Sequence, residues 1–206
     1  MERTTSITEA KEIMGENFIG PLELENIADK MYIRIPTEIP MIPFGLEELR
    51  NKKIDYLLIL GVSEMRNGKP VTLRSLRDHF GIDPDLSEPC FYNQDWYLSE
   101  QFIDKPLETK WFLIRKVIVN ESRGRNPEDL IEKQEFPFAI LCAYTFFTYW
   151  FHTCSALWEH DFIWCTDVDT NGDRIYVARY YDPSKKSKNG FSIHRHLRIQ
   201  KNYGIL

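Results

Sequence analysis

The stretch FPFAILCAYTFFTYWFHTCSALW, residues 136–158, decides the fold, because its 23 consecutive positions carry no Asp, Glu, Lys or Arg. Its length meets the roughly 20 residues of a membrane span. Periodicity argues otherwise. At about 100° per residue, Thr145, Thr148, His152, Ser155 and Glu159 fall within a sector of roughly 80°, while Phe147, Trp150, Phe151, Cys154 and Leu157 face away. Leu141 interrupts this polar row near its N-terminal end. Such order suits a helix buried on most sides, with one edge toward solvent, a sheet or a pocket. No second span is visible, and Lys133 is the one basic residue nearby, so the positive-inside signal is weak. The stretch predicts one long buried helix over about 136–158 and no membrane partner.

Beyond the helix the pattern changes from a period of 3.6 to strands. DVDTNGDRI, 167–175, has three acids, Asp167, Asp169 and Asp173, and Asn171 spaced as in a calcium loop, but Ala178 stands where the bidentate Glu belongs. The flanks FIWCT and RIYVARYY are β-branched and aromatic, and Asn171-Gly172 is a dipeptide that takes positive φ at both centres of a tight hairpin. These acids therefore punctuate a β-hairpin. FSIHRHLRI, 191–199, supplies a third antiparallel strand, on which His194 and His196 share a face. Two such imidazoles could ligate a divalent metal if His160 or Asp167 converged on them; a solvent face is the commoner use of such a pair.

Toward the N-terminus, Ser6 and Thr8 precede EAKEIMG as a cap, and Pro21 opens LELENIADKM, so two short helices are expected. IPTEIPMIPFG, with Pro36, Pro40 and Pro43, excludes helix and central strand and reads as an extended connector over the body of the domain. DYLLILGV, 55–62, is the apolar run of a strand covered on both faces. GVSEMRNGKP fails as a P-loop, since six residues separate Gly61 from Gly68 and Pro70 replaces the hydroxyl residue. VTLRSLRDHF, 71–80, is a helix with Val71, Leu73, Leu76 and Phe80 on its apolar side and Gly81 beyond its end.

KWFLIRKVIV, 110–119, alternates as a strand with Trp111, Leu113 and Val117 on one face. Arg115 falls on that face too, and an inward charge needs a partner or a cavity. Trp96 and Tyr97, in FYNQDWYLSEQF, are rings that could complete a ligand pocket with Arg115; core aromatics under a loop are the alternative. His152, on the polar edge of the long helix, has the pKa for acid–base work. No nucleophile motif accompanies it. The ligand-binding candidates are thus Trp96, Tyr97, Arg115 and His152, with no catalytic residue, cofactor or resident metal indicated.

Net charge is −5 over 206 residues, yet from Asp182 to the end Lys185, Lys186, Lys188, Arg195, Arg198 and Lys201 stand against one acid, Asp182 itself. Such asymmetry can mark a nucleic-acid surface, though blocks of this size are more often solvated faces. The four cysteines form no C-x-x-C pair, which argues against zinc ribbons and thioredoxin-type sites. The N-terminus lacks a secretory h-region, so a cytoplasmic protein with reduced thiols is expected.

EAKEIMGENFIGPLEL (9–24), QDWY (94–97), WFLIRK (111–116) and TDVDTNGDRIYV (166–177) resemble segments of an uncharacterised family of bacterial hypothetical proteins. The resemblance implies a complete single domain, 1–206, with an acid-rich Asn-Gly turn, and brings no activity. The fold expected is α+β: a single domain whose long buried helix packs on a mixed or antiparallel sheet ending in a C-terminal hairpin and third strand. The leading function is a non-enzymatic binding or accessory protein. A nucleic-acid-associated protein and a metal-dependent or His-based hydrolase are the alternatives, and the partner is unknown.

Overall fold

Two capped helices open the chain. Ser6 accepts from the Glu9 amide while the Glu9 carboxylate accepts from the Ser6 amide at 3.1 Å, starting α1 (Ile7–Met14), and Gly15, at φ +57°, ends it. Pro21 begins α2 (Pro21–Met31), where the Gly20 amide donates to Glu23. In the computed structural model, residues 5–131, 136–185, 188–195, 201 and 203–206 are described. Between α1 and α2 lies the two-residue strand β1 (Phe18–Ile19). The proline connector forms neither helix nor regular strand. It crosses the domain with Ile42 buried and the Pro40 carbonyl accepting from the Trp111 indole at 2.8 Å.

After α3 (Leu46–Lys52), β2 (Tyr56–Leu60) runs through the centre of a three-stranded sheet, parallel to β1 and antiparallel to β3 (Trp111–Arg115). Leu57 to Leu60 are each fully buried, as a run of apolar residues covered on both faces requires. Between these strands stands α4 (Leu73–Phe80), capped by Thr72 and closed by Gly81, with Leu73, Leu76 and Phe80 inward. The Gly61–Pro70 segment is a turn: Glu64 pairs with Pro70, and Gly68 takes φ +80°.

A short helix, α5 (Glu128–Ile131), precedes the uncharged helix α6, which is shorter than its sequence suggests: Ala139–Thr153 instead of 136–158. Both ends are set by interactions that helical periodicity does not contain. At the N-terminus Phe138 is extended and the buried Asp167 carboxylate accepts from the Ala139 amide at 2.7 Å. At the C-terminus Cys154 adopts a left-handed conformation, and Trp158 does so again. Ser155 and Glu159 therefore lie outside the helix. Thr145 and Thr148 are fully buried, so the hydroxyl edge is turned into the protein. At ~1.5 Å per residue, α6 spans roughly 22 Å, short of a ~30 Å hydrocarbon core. Among the described residues no helix is long and apolar enough to cross a membrane.

The second sheet has the order β6-β5-β4-β7, built from β4 (Phe162–Val168), β5 (Arg174–Tyr180), β6 (Gly190–His194) and β7 (Tyr203–Gly204). The hairpin stands where the sequence puts it, although the turn differs, and the third strand is formed over Gly190–His194, the expected 196–199 lying outside the described residues. Gly172, at φ +87°, is left-handed while Asn171 is not, and the Gly172 amide donates to the Asp169 carbonyl at 3.0 Å. The chain turns at Thr170–Asn171 with Gly172 as the bulge residue, because the Asp169 carboxylate draws in the Asn171 and Asp173 amides at 2.9 and 2.8 Å. Ile163, Cys165, Ile175, Val177, Phe191 and Ile193 join the main core around α6. On the opposite face Phe162, Trp164, Tyr176 and Tyr203 build a smaller one with Leu130, Phe136 and Ile205. The class is α+β, with the strands divided between two sheets.

Candidate functional site

A sheet edge carries unpaired N–H and C=O groups that native proteins cover, shorten or interrupt. Most edges here are covered. Along β6 the Phe191 amide donates to Cys90 and the Tyr92 amide donates to Phe191, both at 2.9 Å. Further on, the Trp96 indole donates to Ile193 at 3.1 Å, and the Ile193 amide donates to the Gln94 side chain. Beside β7, Gly124 donates to Tyr203, and the neighbouring Ile205 exchanges bonds with Val119 and Ser122. β1 is too short to template a strand.

β3 differs. Gly61 donates to Lys110, and Lys116 donates to Asp55. Hydrogen-bonded pairs recur every second residue in an antiparallel ladder, so with the register Leu57↔Ile114 and Ile59↔Phe112 the inward-bonding residues are 110, 112, 114 and 116. Trp111, Leu113 and Arg115 then point their amides and carbonyls away from β2. Among the described residues none of those backbone groups has a hydrogen-bond partner.

This edge opens onto a groove of about 460 Å³ lined by Phe44, Tyr56, Phe112, Leu113, Phe138 and Leu141 among others. A smaller cavity of about 110 Å³ continues it past Phe112 and Phe138 to Lys105 and Leu107. Alternation along a strand puts Leu113 and Arg115 on one face with their neighbour Tyr56, and Phe112 and Ile114 on the other. The groove therefore reaches both faces of the edge. Phe112 is held close over Gly61, where an added Cβ would meet its ring at 2.5 Å and the Glu108 carbonyl at 2.7 Å. The facing wall is pinned as well: Thr166 donates from its amide to Pro137 at 3.0 Å and from its hydroxyl to Phe136 at 2.7 Å.

The four ligand candidates read from the sequence do not meet in one pocket. Arg115 lines the groove, with Asp55 at 3.5 Å and the Tyr56 ring 5.4 Å away. Trp96 and Tyr97 contact one another edge to face at the margin of the other sheet, where the guanidinium of Arg195, not Arg115, lies 4.4 Å over Trp96. Tyr97 is buried, which raises its pKa. His152 is half-buried in the last turn of α6, apart from the other three candidates. Sequence reading missed Phe44, Phe112, Phe138, Lys105 and Lys110. The one local hint was FPF, 136–138, rings too near the helix start to be buried by it.

The acids of the hairpin are engaged in structure. Asp167 caps α6 and lies 3.4 Å from Lys105, while Asp169 holds Arg195 at 2.6 Å. Arg195 thus has its charge committed, and Lys186 and Arg198 of the basic segment lie outside the described residues. So does His196. His194 packs between Tyr176 and Phe162, with Nδ1 3.3 Å from the Gln94 amide nitrogen and Nε2 buried without a partner among the described residues. Among the described residues no three His, Cys, Asp or Glu side chains are grouped to hold a metal.

Burial lowers the His194 pKa from 6.5 to about 4. The unfolded chain binds this proton first, so stability tied to the neutral ring is complete above about pH 6.5 and is lost as pH falls through about 4. Urea unfolding between pH 7 and 4 should show that slope, and His194→Phe should flatten it.

A second concavity, about 400 Å³, lies beside α4 and includes Tyr32, Lys69, Arg74 and His79. Its polar groups are largely paired: Arg74 grips Asp104 at 2.6 and 2.9 Å, and His79 Nε2 lies 2.8 Å from the Lys30 carbonyl. The open edge of β3 is the stronger site because its outward backbone groups offer a ready ladder for a further strand. No family model, curated protein or solved structure matches this chain.

Proposed function

We propose that this is a non-enzymatic binding protein that captures an extended segment of a partner polypeptide along β3. The observation carrying the reading is the contrast between edges: β6 and β7 are covered, whereas among the described residues Trp111, Leu113 and Arg115 leave their backbone groups unpaired beside a groove walled largely by rings and leucines. An added strand would bond to those groups for affinity and send alternate side chains into the two sides of the groove for specificity. A cytoplasmic setting fits the thiols, which are free at all four cysteines.

The test uses Leu113→Pro. The outward N–H of Leu113 is outside the β2–β3 ladder, and proline is tolerated on an edge strand at such a position. A display library of random decapeptides panned on the wild-type protein should yield binders that shift the amide resonances of Trp111, Leu113 and Arg115. Those binders should weaken at least tenfold on Leu113→Pro while its thermal melt stays cooperative. Equal binding by the variant, or shifts confined to other elements, would overturn the proposal.

A further inference from the structure

We infer that the segment captured by β3 is acidic as well as apolar, with a carboxylate near each end and large apolar residues between; this rests on the reading of β3 as a docking edge. Charge complementarity carries the inference. The chain as a whole has a net charge of −5, yet the residues lining the groove and its continuation include Lys105, Lys110 and Arg115 against the single acid Glu108.

Each of these cations is seated over a ring of the groove. Lys105 Nζ lies 3.5 Å from the Phe138 ring centre, Lys110 Nζ 5.2 Å from Phe112, and the Arg115 guanidinium 5.4 Å from Tyr56. Seating on an aromatic face fixes the position of a flexible cation without neutralising it. Asp167 and Asp55 hold two of them loosely, at 3.4 Å for Lys105 and 3.5 Å for Arg115, whereas Lys110 is already paired with Glu108 at 2.5 Å, so Lys105 and Arg115 are the cations with most charge to offer a ligand.

The order along the strand sets the ligand pattern. Lys105 and Lys110 stand at the start of β3 and Arg115 at its end, and five strand steps of ~3.4 Å separate Lys110 from Arg115 by roughly 17 Å. A bound strand runs at the same rise, so two carboxylates about five residues apart reach both cationic ends. The residues between them alternate toward Tyr56 and Leu113 on one face of the strand and Phe112 on the other, with Phe44, Phe138 and Leu141 completing the groove. All of these walls are apolar, so both sets of intervening side chains should be apolar.

The experiment compares two capped, fluorescein-labelled hexapeptides, Glu-Val-Phe-Val-Phe-Glu and Lys-Val-Phe-Val-Phe-Lys, by anisotropy and amide chemical shift on the full chain. The Glu-bracketed peptide should bind at least tenfold tighter, with the ratio shrinking as salt rises. Arg115→Gln and Lys110→Gln should each reduce the ratio about threefold. Equal binding of both peptides with shifts on β3 would overturn the acidic inference and leave the docking edge standing. Absence of β3 shifts with either peptide would overturn both. Sedimentation showing a dimer abolished by Leu113→Pro would make a second copy of this chain the occupant, and would also overturn the inference.

Discussion

Phe147→Ala is expected to cost about 3–5 kcal/mol of folding stability, lowering the thermal midpoint by roughly 10 °C in a chain of this size. Phe147 lies on α6 and is fully buried. Its ring stacks on Phe80 of α4 at 4.0 Å, lies 5.1 Å from Phe91, meets Phe146 edge to face at 5.2 Å, and reaches Phe191 of β6 at 6.2 Å. One side chain therefore joins α4, the segment that covers the β6 edge, and the second sheet. Truncation removes the transfer free energy of the ring and leaves a cavity whose walls are held by separate elements, so little collapse can refill it. Val117→Ala is the control, because Val117 is 51% exposed and surface changes of this kind stay within about 0.5 kcal/mol. Urea titration of both variants distinguishes the outcomes. A loss below 1 kcal/mol at Phe147 would mean that α6 is not the centre of the core.

What the sequence revealed divides along the range of the interactions involved. The end of α4 was legible because Gly81 directly follows Phe80, while the apolar pattern starts it at Val71, two residues before the Leu73 start that the Thr72–Ser75 cap sets, although that signal too is local. β2 was legible because burial on both faces leaves an apolar run. The ends of α6 were not. One is fixed by Asp167, 28 residues away from Ala139, and the other by a left-handed cysteine that no propensity scale would choose. The same holds for the site. Arg115 was singled out as a charge needing company beside Trp96 and Tyr97, but its neighbour Tyr56 follows from the strand register, which is long-range information. Trp96 and Tyr97 looked like ligand groups because they are aromatic in a loop, and the backbone partner of the Trp96 indole, Ile193, is 97 residues further along the chain. An open edge is less visible still, since it is defined by partners that fail to arrive.

Asp169→Ala should destabilise the protein by about 3 kcal/mol and remove part of its acid sensitivity. The Asp169 side chain is fully buried; it accepts from Arg195 at 2.6 Å and from the Asn171 and Asp173 amides. Arg195 also reaches Glu100 at 3.4 Å, and Glu100 in turn accepts from Thr170 at 2.8 Å, so one carboxylate organises the turn and a second supports it. Burial pushes the Asp169 pKa up, but the Arg195 hydrogen bond and the turn amides outweigh it, and the net position is below that of an ordinary carboxylate. The sign follows from that direction. The unfolded chain takes up the proton first, near pH 4, so the stabilisation is fully present above that pH and is lost as pH falls through the lower folded value. Wild-type stability should therefore fall further below about pH 4, after the His194 slope has run its course. In Asp169→Ala the lower limb should flatten while the His194 limb persists. Asp169→Asn separates charge from shape: it keeps an oxygen for the amides yet loses the ion pair, so its stability should lie between the two. An unchanged acid limb in both variants would show that other carboxylates govern it.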